Sequence, residues 1–298
     1  MCPPVPKTKT SGLSSASFGR HLGRQYENEV RAYRRELAAC RRRMSRHAVH
    51  RLRIDIRRLL ACLELLDAVQ IECPAVRGVL QRQLKTLGEL RDIQVQLHRI
   101  EHEPRFAKAL QPLCEHLKKR EYRRMKAARK TLEADETLHR LRQWRLRPAR
   151  KNPDVIPRLR ALIDNKLQLA FDPLGSCSPS TPADSAARHR TRIIAREYRY
   201  VLETLRPSWR GAETVRLLAS LQVYQAVIGQ IHDREILLHR IERLVADARI
   251  KTASVRPFRA LLQAEQTKQL KVCSLLDRRV LHEAMLARRH LCQNVLCN

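Results

Sequence analysis

Glycine is scarce in this chain, 8 in 298 residues, and aromatic residues make up only 4%. With few β-branched runs and Leu, Arg, Ala and Glu dominant, so little glycine argues against sheet architectures and for helices. Scarce aromatics leave few platforms on which unpaired bases could stack. No apolar run approaches the ~20 residues that a membrane span needs. The first twenty residues lack the apolar core of a secretory signal; basic, rich in Ser and Thr and free of acids, they have a faint transit-peptide balance and read as a tail. C-x-x-C pairs are missing too. The nine cysteines, at 2, 40, 62, 73, 114, 177, 273, 292 and 297, fit free thiols of a reducing cytoplasm better than disulfides or a zinc site. No P-loop, nucleophile elbow or dinucleotide fingerprint occurs, so no cofactor is expected.

Acidic residues are also in short supply: 30 Asp+Glu stand against 60 Lys+Arg, a formal charge of +30. Of those cations 47 are arginines and 13 lysines. Arginine stays charged at any working pH, and its planar fork matches phosphate oxygens in a two-pronged way that lysine cannot. So large an excess repels itself, and a polyanionic partner is the natural expectation. Nucleic acid, an anionic membrane surface and a chain of inorganic phosphates all qualify by charge. With 43% hydrophobic residues the chain suffices for one large or two small cores.

One pattern is written twice. His50, Arg53 and Arg57 stand in HRLRIDIRRLLACLEL; His189, Arg192 and Arg196 stand in HRTRIIAREYRYVLET. The spacing 0, 3, 7 puts a histidine and two arginines on one helical face in each half, with Arg46 and Arg199 on the same arcs. Ser45 and Asp184 precede their histidines by the same interval as N-caps. Val49, Leu52, Ile56, Leu59, Leu63 and Leu66 form a core stripe about 100° round from His50, so the cations flank the core. A second block follows each helix, LGELRDIQV and IGQIHDREI. It aligns Gly88 with Gly229 and Asp92 with Asp233. Glycine inside a helix costs roughly 1 kcal/mol against alanine, so the matched pair predicts close helix approach, with the aspartates pairing to neighbouring arginines as structural support.

Four helices are expected in each half: Phe18–Arg43, Ser45–Val69, Ala75–His102 and Pro104–Asp135, then Val155–Phe171, Asp184–Leu205, Gly211–Asp247 and Ser254–His290. The organisation is a disordered basic tail (1–17), a first four-helix half (18–136), a basic linker (137–153), a second four-helix half (154–290) and a C-terminal tail (291–298). The loop DPLGSCSPSTPAD reads as mobile. Further cationic stripes lie on Arg20, Arg24, Arg31 and Arg34; on Lys119, Arg123, Lys126 and Lys130; and on Lys268, Lys271, Arg278, His282 and Arg289, with Lys85 and Arg46 beside them. A single stripe is ordinarily a solvated face whose arginines snorkel over the core edge. The recurrence of the histidine–arginine face is what favours a binding surface.

The H-x-L-R-I-x-x-R-R pattern, the L-G-x-L-R-D block and the H-x-x-R…R-x-x-R-Y echo resemble the CHAD family, the conserved-histidine α-helical domain, over about residues 18 to 290. The resemblance implies an all-α fold of two four-helix bundles related by a pseudo-twofold axis. It also implies a basic central channel that binds inorganic polyphosphate without catalysis, and association with polyphosphate granules in the cytoplasm. The implied ligands are His50, Arg53, Arg57, His189, Arg192, Arg196 and Arg199. The chain departs from the family at Leu60 and Glu197, where basic residues are usual, and at His232, which replaces the arginine equivalent to Arg91.

Two other readings stand beside this one. Basic helices with a pI near 10.9 are the electrostatic footprint of nucleic-acid binding, non-specific in the absence of a reader motif. His232-Asp233 spells the dipeptide of HD-type phosphohydrolases, and His98 with His102 has metal-ligand spacing. Neither has a third ligand evident, and the dipeptide aligns with Arg91-Asp92 as a variant of the repeated block. No metal is expected. Neighbouring arginines disfavour the imidazolium forms of the two histidines and a bound polyanion favours them, so binding is expected to couple to proton uptake.

Overall fold

Ser45 opens the helix that carries His50. Its backbone is extended (φ −66°, ψ 158°) and its hydroxyl accepts a hydrogen bond from the Ala48 N–H at 3.2 Å, satisfying a donor the first turn would leave orphaned. Val49, Leu52, Ile56, Leu59, Leu63 and Leu66 are all fully buried, as the stripe predicts. Burial of that many large aliphatics, each worth about 1.5–3 kcal/mol, fixes the rotation of the helix and hence the direction of its arginines.

The computed structural model describes residues 15–71, 75–133, 137–144, 155–175, 185–206 and 211–290. The helices are α1 (Ser15–Arg42), α2 (Arg46–Ala68), α3 (Arg77–Glu101), α4 (Ala107–Glu133), α5 (Thr137–Gln143), α6 (Val155–Gly175), α7 (Ser185–Leu205), α8 (Ala212–Ala246) and α9 (Thr252–His290). A 3-10 turn, Pro104–Phe106, leads into α4. No strand occurs among the described residues.

Helix pairings fall into two matching sets. α1 packs on α2, α2 on α3, α3 on α4 and α1 on α4; α6 packs on α7, α7 on α8, α8 on α9 and α6 on α9. The sets meet chiefly through like pairs, α2 on α7, α3 on α8 and α4 on α9, with α2 also touching α6. This is the contact pattern of two four-helix units facing each other across a pseudo-twofold axis.

The apolar core has two parts, and both sets of helices contribute to each. One large core runs through α1, α2, α5, α6 and α7, up to Leu90 on α3 and Ile231 on α8, and takes in Ala128 and Leu132 of α4 and Cys273, Val280, Ala284 and Ala287 of α9. A smaller one begins at Ile93 on α3 and Leu237 on α8 and takes in Leu110, Leu113 and Leu117 of α4 with Val255, Phe258 and Leu262 of α9. The break between them falls on Arg91-Asp92 and on His232-Asp233, the repeated block. The polar residues there interrupt the hydrophobic stripes of both helices.

Several boundaries differ from expectation. α5 occupies the start of the span read as linker (137–153), because Leu141 is buried and Trp144 packs edge-on against Tyr26 at 4.5 Å between ring centroids. α1 begins at Ser15, inside the tail (1–17), and α6 continues through Asp172 to Gly175, into the loop read as mobile. The remainder of that loop, Asp184, and the C-terminal tail (291–298) lie outside the described residues. Among the described cysteines, Cys40, Cys62, Cys114 and Cys273 are free thiols, and burial raises the Cys40 thiol to about 11 and that of Cys273 to about 12.

Candidate functional site

α2 and α7 bring their arginines to one place. Arg53, Arg57, Arg192 and Arg196 are all half-buried, and each is an electrostatic neighbour of others in the group. Burial, then the like charge of Arg196 on the other helix, lower Arg57 to about 10; Arg192 adds to the effect and Tyr200 opposes it. Burial, then Arg192 and Arg53, lower Arg196 to about 10. Burial, then Arg57, lower Arg53 to about 9, with Asp92 pulling the other way. All remain protonated at neutral pH. Arg192 is lowered by burial against the pull of Asp233, Asp92 and Glu235. No carboxylate closes an ion pair within 4 Å with any of the four among the described residues. Four partly desolvated guanidiniums so placed repel one another, and an anion threaded between them would relieve the strain.

Arg53 reaches the cluster through a particular gap. Its Nη1 donates to the Leu84 carbonyl at 3.0 Å, and its guanidinium lies against Gly88 of α3: a Cβ at that position would stand 2.6 Å from Nη1. Gly88 therefore makes room for a side chain, not for a helix backbone. At Gly229 nothing lies within 4 Å, so the close approach expected of the matched glycine does not occur.

The histidines line the same region. Both His50 and His189 are exposed. Desolvation, then Arg91, Arg53 and Arg57, lower His50 to about 4, so it is neutral at physiological pH. His189 is lowered too, by partial desolvation, then Arg192 and Arg196. Sequence reading placed His232 in a structural block. Its ring in fact lies 4.9 Å from that of His189, and desolvation, then Arg192, lower it to about 4.

Beneath the arginines Asp92 and Asp233 face each other from α3 and α8. Neither closes an ion pair within 4 Å among the described residues; the arginines act on them from further away. Burial, then Asp92, raise Asp233 to about 6. Burial raises Asp92 as well, against Arg53, Arg192, Arg240 and Arg57. The pair is an internal anion held under the cationic cluster.

Other predicted residues lie elsewhere. Arg199 does not join the cluster: it donates to Glu203 Oε1 at 2.5 Å and to Gln225 at 2.8 Å and stacks on Tyr200. Arg46 is half-buried and ion-paired with Glu101 at 2.7 Å. The stripes Arg20, Arg24, Arg31 and Arg34; Lys119, Arg123, Lys126 and Lys130; Lys268, Lys271, Arg278, His282 and Arg289; and Lys85 are all exposed, so packing does not turn them inward to a common groove. Leu60 and Glu197 line a cleft of about 230 Å³ with Arg57 and Arg196. Glu197 is there offset by the buried Lys166 at 3.6 Å, which also pairs with Glu64 at 2.7 Å.

His98 and His102 stack edge-on at 4.0 Å, with His102 Nδ1 2.7 Å from the His98 carbonyl. Among the described residues no three His, Cys, Asp or Glu side chains are grouped to hold a metal, and no helix is long and apolar enough to cross a membrane. Residues the sequence reading missed are Arg91, which faces Asp233, and Arg240, which faces Asp92. Arg240 had a signal: it follows Asp233 by the interval at which Arg99 follows Asp92, one more step of the repeat.

Solved structures share this fold. The crystal structure of the CHAD domain from the plant Ricinus communis matches with a TM-score of 0.66 and 21% identity, covering 91% of this chain and 95% of that one. PptA from Streptomyces chartreusis matches with a TM-score of 0.59 and 19% identity, covering 92% of this chain and 99% of that one. No curated protein sequence matches. The CHAD domain profile matches residues 24–242, a span that holds both histidine–arginine helices and both copies of the second block, and the chain belongs to the CHAD domain family.

Proposed function

We propose that this protein binds inorganic polyphosphate without transforming it, in the cleft where α2 meets α7. The observation that carries this reading is the convergence of Arg53, Arg57, Arg192 and Arg196 from the two helices. Each fork donates charge-assisted hydrogen bonds to phosphate oxygens, and successive phosphates along a chain meet successive arginines along a helix. His50, His189 and His232 line the path as neutral imidazoles in the free protein. Family membership implies the same ligand, and with it association with polyphosphate granules in the cytoplasm.

Nucleic acid is the second reading, favoured by the exposed cationic stripes of α1, α4 and α9. Tyr122 is the one strongly exposed aromatic among the described residues, at 68%. Stacking therefore contributes little, and nucleic acid would be held by phosphate contacts alone.

A competition titration at ~150 mM salt, where weak surface attraction is screened, separates the two. Labelled long-chain polyphosphate is displaced by polyphosphate, tRNA or duplex DNA, from wild type and from Arg53→Ala/Arg192→Ala. Binding that nucleic acid does not displace and the double variant loses is the expected result. Equal displacement by all three, with no effect of the variant, would leave a generic polycation.

A further inference from the structure

We infer that Arg120, Arg240 and His116 form a second phosphate-binding site, on the Asp92 side of the carboxylate pair, that receives the continuation of a polyphosphate chain leaving the central arginines. The inference rests on the polyphosphate reading and adds to it a direction and a length.

Placement comes first. Arg240 lies two turns beyond Asp233 along α8, about 10 Å at 1.5 Å per residue. It sits beside Ile241, and Arg120 stands three residues beyond Leu117 of α4; Ile241 and Leu117 are both fully buried in the smaller core. The two arginines therefore rise from the rim of one packed cluster, and they are electrostatic neighbours: burial, then Arg120, lower Arg240 to about 10. His116, one turn before Arg120, is lowered by desolvation and then by Arg120 and Arg240. Arg123 and Arg249, both exposed, extend the positive field outward.

The hydrogen-bonding capacity of this group is unused. Arg240 Nη1 and Arg120 Nε are buried without a partner. Among the described residues, Arg240 holds the one terminal guanidinium nitrogen in that state. Neither arginine pairs with a carboxylate within 4 Å among the described residues; Asp92 acts on Arg240 from further off. Buried donors left empty beside a like charge are costly, and a phosphate between them satisfies both.

The Asp233 side differs. Arg99 donates to Glu265 at 2.8 Å and to Glu103 at 2.6 Å, and Arg234 donates to Glu265 at 2.9 Å. These arginines line a cavity of about 430 Å³ with Glu265 and Asp233, but their charge is already spent on carboxylates. On the Asp233 side the remaining cation, Arg91, already donates to the Arg46 carbonyl at 3.4 Å, whereas the buried guanidinium donors left without any partner, on Arg120 and Arg240, lie on the Asp92 side.

The test is calorimetric titration of wild type and Arg120→Gln/Arg240→Gln with tripolyphosphate, which fits the central arginines alone, and with long-chain polyphosphate. In the double variant long-chain affinity is expected to fall roughly tenfold or more, the worth of one lost charge-assisted contact, with tripolyphosphate affinity unchanged. Equal loss at both lengths, or loss at neither, overturns the second site. Wild type that binds neither length overturns the polyphosphate reading and this site with it. Arginine-selective labelling of the unmutated protein gives an independent check. Long chains should protect Arg120 and Arg240 where tripolyphosphate does not; equal protection, or none, overturns the proposal even if the variant folds poorly.

Discussion

Arg53 lies where a side chain at position 88 would be: its Nη1 stands 2.6 Å from the Cβ that Gly88 lacks, and the same nitrogen holds the Leu84 carbonyl at 3.0 Å. The glycine of the repeated block is thus a cradle for a cluster arginine. In Gly88→Ala the guanidinium must swing away, which a long side chain can do cheaply. Helix propensity gains about 1 kcal/mol, so the melting temperature should hold or rise while polyphosphate affinity falls. Gly229→Ala, with nothing within 4 Å, should gain stability and leave affinity alone. Thermal melts beside the competition titration check both, and equal affinities for the two variants would dismiss the cradle.

That contrast also shows what the sequence carried. Helix periodicity, the Ser45 cap and the Val49–Leu66 stripe placed α2 and aimed its arginines, because local propensity and burial agree there. The repeat paired α2 with α7. What it could not show is that Gly88 and Gly229 serve different ends, since each depends on a partner helix's side chain. The Arg199–Glu203 pair, four residues apart on α7, was legible on one helical face, but the contact from Gln225 of α8 that completes the hold on Arg199 was not. The repeat marks the position of Arg240, but its neighbours, Asp92 and Arg120, come from α3 and α4, remote in sequence, so its surroundings were not legible.

Arg196 and Arg199 make opposite predictions on one helix. Arg196 is held half-buried among like charges, so Arg196→Gln should relieve repulsion and raise stability by about 1 kcal/mol, or about 2–4 °C in melting temperature, while weakening polyphosphate binding. Arg199→Gln breaks the contacts to Glu203 and Gln225. It should lower the melting temperature and leave affinity nearly intact. The same affinity loss in both would mean that Arg199 turns to the ligand when it binds.

Binding should tighten as pH falls. In the free protein His50 and His232 titrate at about 4 and Asp233 at about 6. A bound polyanion raises each of these, because it favours imidazolium and disfavours carboxylate. Where the pH lies between free and bound values, binding takes up a proton, and affinity gains up to about tenfold per pH unit for each group involved. Titrations at pH 6 and pH 8, at constant ionic strength and with long chains, should show stronger binding at pH 6. Asp233→Asn removes one titrating group and an internal anion, so it should flatten the profile and strengthen binding at pH 8. A flat wild-type profile would show that no group in the cluster changes charge.

Glu265 is the acid that closes the Asp233 side, holding Arg99 at 2.8 Å and Arg234 at 2.9 Å. In Glu265→Gln, Arg99 keeps Glu103 at 2.6 Å, while Arg234 loses its carboxylate and keeps only neutral acceptors. Losing a partly buried charged contact should cost about 1–3 kcal/mol of stability. The same change exposes positive charge beside Asp233, where the chain meets neutralised arginines in the wild type. Long-chain affinity should therefore rise several-fold, by less than the roughly 1.5–3 kcal/mol of a full charge-assisted contact, even as the melting temperature drops. A variant that melts lower with unchanged affinity would mean that the phosphate chain never reaches this side. That result would leave the Asp92 side as the path out of the central arginines.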